Sequence, residues 1–228
     1  PEWNNTMKWV VANCDNPDAN MFHLMFYLKQ EKNTELFKVS PLHLAATGIN
    51  SSIVKTLLSN GFDINCKDNE GATPLHWACS NDNKLMVELF INLEANLLAK
   101  DHNGNTPLHF ATERGHTEIV QLLIEKYLVD INIPNNKGKT PLQIACEEED
   151  EYTIQYLLSK SAKIEKSLND CILRNQPLIV RLLVKFGAIE KNKIHNGIMT
   201  NPLQEAIKLE RSRIVKVLLH YSSWMADI

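Results

Sequence analysis

The sequence predicts an all-α solenoid of stacked helix-turn-helix repeats that carry short β-hairpin fingers. Two observations predict it. A tetrapeptide recurs at intervals of 33 or 34 residues, and apolar positions keep the same phase after each copy. A repeat of this size cannot bury its own apolar face, so neighbouring repeats stack into a shared core. We therefore expect one repeat domain over residues 1–228.

The recurring tetrapeptide is Thr-Pro-Leu-His or a close variant of it. An alanine follows five positions after the start of each copy, and a valine or isoleucine follows fourteen positions after it. The five copies are Ser40–His43, Thr73–His76, Thr106–His109, Thr140–Gln143 and Asn201–Gln204. The same apolar markers locate two degenerate copies, which gives seven repeats that start near residues 7, 40, 73, 106, 140, 166 and 201.

Each copy carries the local signals of a helix pair followed by a turn. Proline after threonine suits the first turn of a helix, where threonine can cap and the missing N–H costs nothing. Downstream, residues such as Ile119–Leu123 place apolar side chains at helical spacing. Gly61 and Gly187 stand where a helix needs a left-handed terminator. Asp68–Gly71 and Asp101–Gly104 have the turn residues of a short hairpin.

The stretch from Asp101 to Ile124 resembles the ankyrin repeat, and the resemblance extends from about Met7 to Tyr221. It implies a protein-interaction module, not an enzyme, that binds a partner protein on a concave face formed by the fingers and the inner helices. It also implies that the motif histidines link the backbones of adjacent repeats. The partner-binding residues that it implies are Asn69, Glu70, Ser80, Asn81, His102, Asn103, Asn105, Glu113, Arg114, Asn136, Lys137, Glu147 and Glu148.

The repeat pattern is interrupted between Thr140 and Lys166, which are only 26 residues apart. The missing part is the turn that contains glycine, so we expect the sixth repeat to lack its finger. We expect the first and last repeats to act as caps, because the outer face of a terminal repeat must be polar for solubility.

Composition and charge exclude several classes of partner and site. With 24 basic and 27 acidic side chains the formal charge is −3, which offers no basic field to a nucleic acid. No apolar run approaches the roughly 18 to 20 residues of a membrane span. Five scattered cysteines and eight histidines without metal-ligand spacing predict no metal site and no cofactor. We expect a monomer in a reducing compartment, hence intracellular and cytoplasmic, or nuclear.

Two features admit alternative interpretations. Trp77 and Phe110 follow the motif histidine, and core packing is favoured over an exposed aromatic anchor. The acidic run Glu147–Glu151 is either a solvated turn between helices or a negative patch that steers a basic partner.

Two alternative functions also remain open. The segment could be the regulatory or targeting domain of a larger protein, such as an enzyme, a channel or a pathogen effector. A narrower resemblance, carried by Leu75–Ser80, is to the gankyrin family of proteasome assembly chaperones.

Overall fold

The computed structural model describes residues 39–164, 166–187 and 202–226, with side chains as far as residue 221. Within these ranges the chain is helical and contains no strand. The first three helix pairs are α1 (Pro41–Thr47) with α2 (Ser51–Ser59), α3 (Pro74–Ser80) with α4 (Lys84–Asn92), and α5 (Pro107–Glu113) with α6 (Thr117–Gln121). The next three are α7 (Pro141–Glu147) with α8 (Glu151–Ser159), α9 (Ser167–Leu173) with α10 (Pro177–Lys185), and α11 (Pro202–Lys208) with α12 (Ser212–Ala226).

The chain forms two compact units. The first comprises residues up to Val129 together with Pro134–Gly138, and it contains α1 to α6. The second comprises Asp130–Ile133 together with the chain from Lys139 onward, and it contains α7 to α12. The predicted first repeat, which starts near Met7, lies outside the described residues. The single domain over 1–228, the count of seven repeats and the capping role of the first and last stay predictions.

Four of the inner helices begin with a capping box. In α3 and α5 the threonine side chain and the backbone N–H of the same residue both bond the histidine three positions on, as in Thr106 and His109 at 2.8 and 3.1 Å. In α7 the box is formed by Thr140 and Gln143, and in α1 by serine and histidine. Proline follows the cap in each case, so the predicted helix starts are confirmed.

The motif histidine also joins one repeat to the next. His43 Nε2 lies 3.0 Å from the carbonyl oxygen of Ala72, and His76 Nε2 lies 3.1 Å from that of Asn105. Because Nδ1 accepts the N–H of the cap, the proton of the neutral ring is on Nε2, which donates to the carbonyl. The predicted backbone link between adjacent repeats is therefore confirmed at both histidines.

The core is formed by the apolar markers that defined the repeat. The marker alanines, from Ala45 to Ala206, are all buried in the described helices. The branched residues Val54, Val87, Val120, Ile154 and Val180 are fully buried. Val215 on α12 is only half-buried.

The fingers are tight turns, not pairs of strands. In the first finger, Asp68 N–H donates to Ala72 O at 3.0 Å and Gly71 N–H donates to Asp68 O at 3.1 Å. Asp101 and Asn105 make the equivalent 3.0 Å bond in the next finger. One cross-turn bond is too short a ladder for a strand, which is why the predicted β-hairpins are hairpin turns here. The link with the predicted missing finger is short, because α8 ends at Ser159 and α9 begins at Ser167.

The fourth repeat accommodates one extra residue as a π-helical turn. Its start is 34 residues from the next, where the earlier steps are 33, and α6 continues into a π-helix at Leu122–Lys126. There Val129 N–H bonds Leu123 O at 3.1 Å, whereas at the same place in the third repeat Ala95 N–H bonds Phe90 O at 2.9 Å. The inserted residue is thus absorbed within the helix, as π-bulges do.

The outer helices end at a residue with left-handed backbone. Gly61 and Gly187 have φ of +86° and +85°, as predicted. Glu94, Leu128 and Ser161 take this position in the other repeats, with φ of +65°, +55° and +62°. A side chain in this conformation costs about 1–2 kcal/mol, which glycine avoids.

We expect Leu128→Gly to raise the free energy of unfolding by about 0.5–1 kcal/mol, because relief of the left-handed strain exceeds the entropy cost of glycine. Leu128 is 83% exposed, so little packing is lost. Urea unfolding measures the change. Lys55→Gly is the control, since an exposed helical position should lose about 1 kcal/mol on the same substitution. A Leu128→Gly variant no more stable than the wild type would contradict the assignment of strain.

His76 should make stability depend on pH. Burial lowers its pKa from 6.5 to about 4, so between these values the unfolded chain binds a proton that the folded chain does not. Stability therefore falls as the pH decreases from 6.5 to 4, by roughly 3 kcal/mol from this group. Gln143 forms the same capping box, so His76→Gln should fold and show a weaker pH dependence. Urea unfolding at pH 7 and pH 4.5 measures this. If the free energy of unfolding of the wild type and of His76→Gln changed equally with pH, the assignment of the effect to His76 would be wrong.

Candidate functional site

A groove of about 520 Å³ lies in the first compact unit, between the fingers and the C-terminal ends of α3 and α5. It is open to solvent on one side, and it brings together eight of the thirteen residues predicted to bind a partner. These eight are Glu70, Ser80, Asn81, Asn103, Asn105, Glu113, Arg114 and Lys137. Five predicted residues do not line it: Asn69, His102, Asn136, Glu147 and Glu148.

The wall of the groove is formed by fingers that bond to one another through their backbones. His102 N–H donates to Glu70 O at 2.8 Å, and Asn136 N–H donates to Asn103 O at 2.9 Å. Asn136 also donates its side-chain amide to His102 O at 3.1 Å. The predicted contact residues His102 and Asn136 therefore join adjacent fingers, and Asn69 is a half-buried residue of the first turn.

Lysines reinforce the finger row. Lys67 Nζ donates to Lys100 O at 2.8 Å, and Lys100 Nζ donates to Pro134 O at 3.4 Å. A lysine ammonium thus contacts the carbonyl of the next finger in two successive fingers, beside the backbone bonds that join them. Finger side chains that face the groove are thus presented from an ordered backbone.

Asp68 ties the first finger to the floor of the groove. Its Oδ1 accepts the backbone N–H groups of Glu70 and Ala72, both at 2.9 Å. Its Oδ2 accepts the indole N–H of Trp77 at 2.9 Å. One carboxylate therefore fixes both the turn and the orientation of the aromatic ring on α3.

The next finger replaces the indole with an amide. Asp101 Oδ1 accepts Asn105 N–H at 2.7 Å, and Oδ2 accepts the Asn105 side-chain amide at 3.2 Å. Asn105 in turn accepts the Asn135 side-chain amide at 2.8 Å. The substitution follows from Phe110, which occupies the position of Trp77 and has no N–H to donate.

Trp77 and Phe110 form the aromatic floor of the groove. Each is half-buried, and each makes an edge contact with the motif histidine of the preceding repeat. The ring centroids are 5.4 Å apart for His43 and Trp77, and 5.0 Å apart for His76 and Phe110. The interpretation of these two residues as core was incomplete, because one side of each ring packs on the framework and the other lines the groove.

Four charged side chains in the groove have no ionic partner within the described ranges. These are Glu70, Glu113, Arg114 and Lys137, and all four are exposed. Nothing in the described fold uses their charge, so they are available to a partner.

The second compact unit uses Glu147 differently. Its two carboxylate oxygens accept Lys139 Nζ and Arg174 Nη2, each at 2.6 Å, and the side chain is 19% exposed. This carboxylate stabilises the unit by linking α7 to α9. Glu148 is exposed at the end of α7.

Most of the acidic run that begins at Glu147 has a structural role. Glu149 accepts the Gln176 side-chain amide at 3.1 Å. Asp150 caps α8 by accepting Tyr152 N–H at 3.2 Å, and Glu151 lies in the first turn, where a negative charge is favoured. These contacts favour the interpretation of the run as a turn between helices.

Two further kinds of feature concern metal ligands and membrane spans among the described residues. These residues contain no group of histidine, cysteine and acidic residues that could hold a metal. None of their helices combines the length and hydropathy of a membrane span. Cys79, Cys146 and Cys171 are buried free thiols, as predicted, whereas Cys66 is half-buried.

A family model described as ankyrin repeats (3 copies) matches residues 8–101 and 86–170, which together cover most of the chain. The chain belongs to the ankyrin-repeat family. No curated protein matches it significantly. Ankyrin repeats are generally protein-protein interaction modules and typically not catalytic.

Sequence reasoning gave the aromatic part of this ankyrin groove only as the less favoured alternative, an exposed anchor at Trp77 and Phe110. Trp77 and Phe110 each follow a buried motif histidine by one position, and a bulky residue there reaches the groove on a short helix. The signal was available as two aromatic residues 33 positions apart. The bond from Trp77 to Asp68 had no signal in the sequence pattern.

The stacking of the ankyrin fingers requires glycine at position 104, where φ is +77°. A Cβ there would lie 2.6 Å from the backbone nitrogen of Asn136, whereas at Gly138, with φ of +72°, a Cβ would meet no described atom within 4 Å. Both alanine variants carry the left-handed strain. We expect Gly104→Ala to lower the free energy of unfolding by about 1 kcal/mol or more beyond Gly138→Ala. Chemical denaturation of the two variants measures the difference, and equal losses would show that finger stacking contributes little.

Proposed function

We propose that the chain is a protein-interaction module that holds a partner protein in the groove of the first compact unit. The observation that carries the proposal is the set of unpaired charges around a half-buried aromatic floor. Aromatic residues at the centre of polar surfaces commonly dominate binding energy. The ordered fingers reduce the entropy lost when a partner binds.

The proposal also includes the binding face, the oligomeric state and the location of the module. The groove face is the part of the predicted concave surface that binds, and the module acts as a monomer inside the cell, in the cytoplasm or nucleus. Free buried thiols such as Cys79 support a reducing compartment. Four carboxylates in the groove lining disfavour a phosphate backbone as the ligand.

Two alternatives name a context for the same module. The first is a regulatory or targeting domain of a larger enzyme, channel or pathogen effector, and the second is a gankyrin-like proteasome assembly chaperone. Both alternatives retain protein binding in the groove. They differ in the identity of the captured protein, and recovery of proteasomal ATPases is the specific expectation of the second.

Charge reversal in the groove should abolish capture of the partner without unfolding the module. The variant is Glu70→Lys with Glu113→Lys and Arg114→Glu, three exposed residues that form no ion pair in the described fold. Surface changes of this kind alter stability by about 0.5 kcal/mol or less, so the melting temperature should stay close to that of the wild type. Affinity capture from a lysate of the source organism, quantified by mass spectrometry, measures partner recovery.

The control variant reverses charges on the outer helices, with Lys55→Glu and Glu94→Lys, two exposed residues that form no ion pair in the described fold. It should capture the same proteins as the wild type. If the groove variant captures its partners as well as the control does, the groove is not the binding site.

A further inference from the structure

We propose that the groove of the first compact unit binds an arginine side chain carried by an extended segment of the partner protein. The inference rests on the proposed function, because it names the chemistry of what occupies the same groove. It follows from the charge balance of the lining, from the exposed aromatic faces and from the acceptors around them.

The groove has an excess of negative charge. Its lining contains four acidic side chains and two basic ones, a formal balance of −2. The hydrogen bonds that Asp68 and Asp101 accept come from backbone amides, an indole and a side-chain amide, none of which carries a charge. No cation of the described residues forms an ion pair with either carboxylate at the base of the fingers. A concave surface of this sign attracts cations and repels phosphates.

The aromatic floor favours a planar cation. Trp77 is fixed at its N–H edge by Asp68 and at its other side by the edge contact with His43, so its ring is ordered before a ligand arrives. Phe110 takes the equivalent position on the next inner helix, and packed helix axes lie about 8–10 Å apart. A cation over the face of such a ring is stabilised by about 0.5–2 kcal/mol, most strongly with tryptophan.

Arginine fits this surface better than lysine. Its guanidinium is planar, stacks on aromatic rings and loses its hydration more easily than an ammonium group. Its five N–H donors suit carboxylate acceptors, and the lining offers Glu70 and Glu113, which form no ion pair within the described residues. An acidic segment would instead find only Arg114 and Lys137, against four carboxylates.

The test is a selection from a displayed library of random linear peptides on the immobilised full chain. Groove-dependent binders are those that no longer bind the Asn103→Tyr variant. Asn103 is an exposed finger residue in the groove lining, and the larger tyrosine side chain narrows the groove without changing its charge. We expect these binders to share an arginine. Replacing it with citrulline, which has nearly the same shape but no charge, should weaken binding about tenfold or more, as should Glu70→Gln combined with Glu113→Gln. Glu94→Gln, at the end of the outer helix α4, is the matched control and should bind as the wild type does, since Glu94 is exposed and forms no ion pair within the described residues.

A second readout locates the arginine. The indole N–H resonance of Trp77, identified by its loss in Trp77→Phe, should shift on addition of an arginine peptide and stay in place with the citrulline peptide. The variant should fold, because phenylalanine is the natural residue at the equivalent position 110. Groove-dependent binders without a basic residue, or equal binding of the citrulline peptide, would overturn the inference and leave the proposed function standing. If Asn103→Tyr excludes no binder, both are overturned.

Discussion

The neutral imidazole of the motif histidine is the contact on which the described repeats of the first compact unit depend. One nitrogen accepts the N–H of the helix cap and the other donates to the carbonyl of the next finger, as in His76 with Thr73 and Asn105. A single side chain thereby sets the start of an inner helix and the position of the finger beside it. Protonation would place a hydrogen on the accepting nitrogen and break the cap, which is why burial and a lowered pKa belong to the same arrangement.

Because these contacts fix the backbone, the exposed side chains of the groove are free for recognition. The backbones of the fingers are fixed by the histidines, by their mutual N–H bonds and by the lysine contacts to carbonyls. Exposed groove side chains without a described ion pair, such as Glu70 and Glu113, then take little part in stability. Substitutions there can change what is bound without changing the fold, which is the general property of a binding surface carried on a rigid scaffold.

The fold could be predicted from the sequence because its main signals are local and repeated. A proline after a cap, an alanine five positions on and a branched residue fourteen positions on each report a position in one helix pair. The groove was predicted in part, since eight contact residues do converge. The bond that orients Trp77 and the role of Glu147 could not be predicted in the same way. The first is made to a carboxylate nine residues away, and the second depends on Arg174 in the following repeat.

Whether a carboxylate is available for binding depends on its exposure and on its ionic partners in the fold, and not on whether it lies in an acidic run of the sequence. Five consecutive acidic residues gave the strongest charge signal in the sequence, yet Glu147 is neutralised by two cations and Asp150 by the start of a helix. Glu70 and Glu113 are 43 residues apart and gave no such signal. Both line the groove because the inner helices and fingers stack, and neither forms an ion pair within the described residues. The attraction of the groove for cations therefore arises from the stacking of repeats, and for this reason the sequence alone did not predict it.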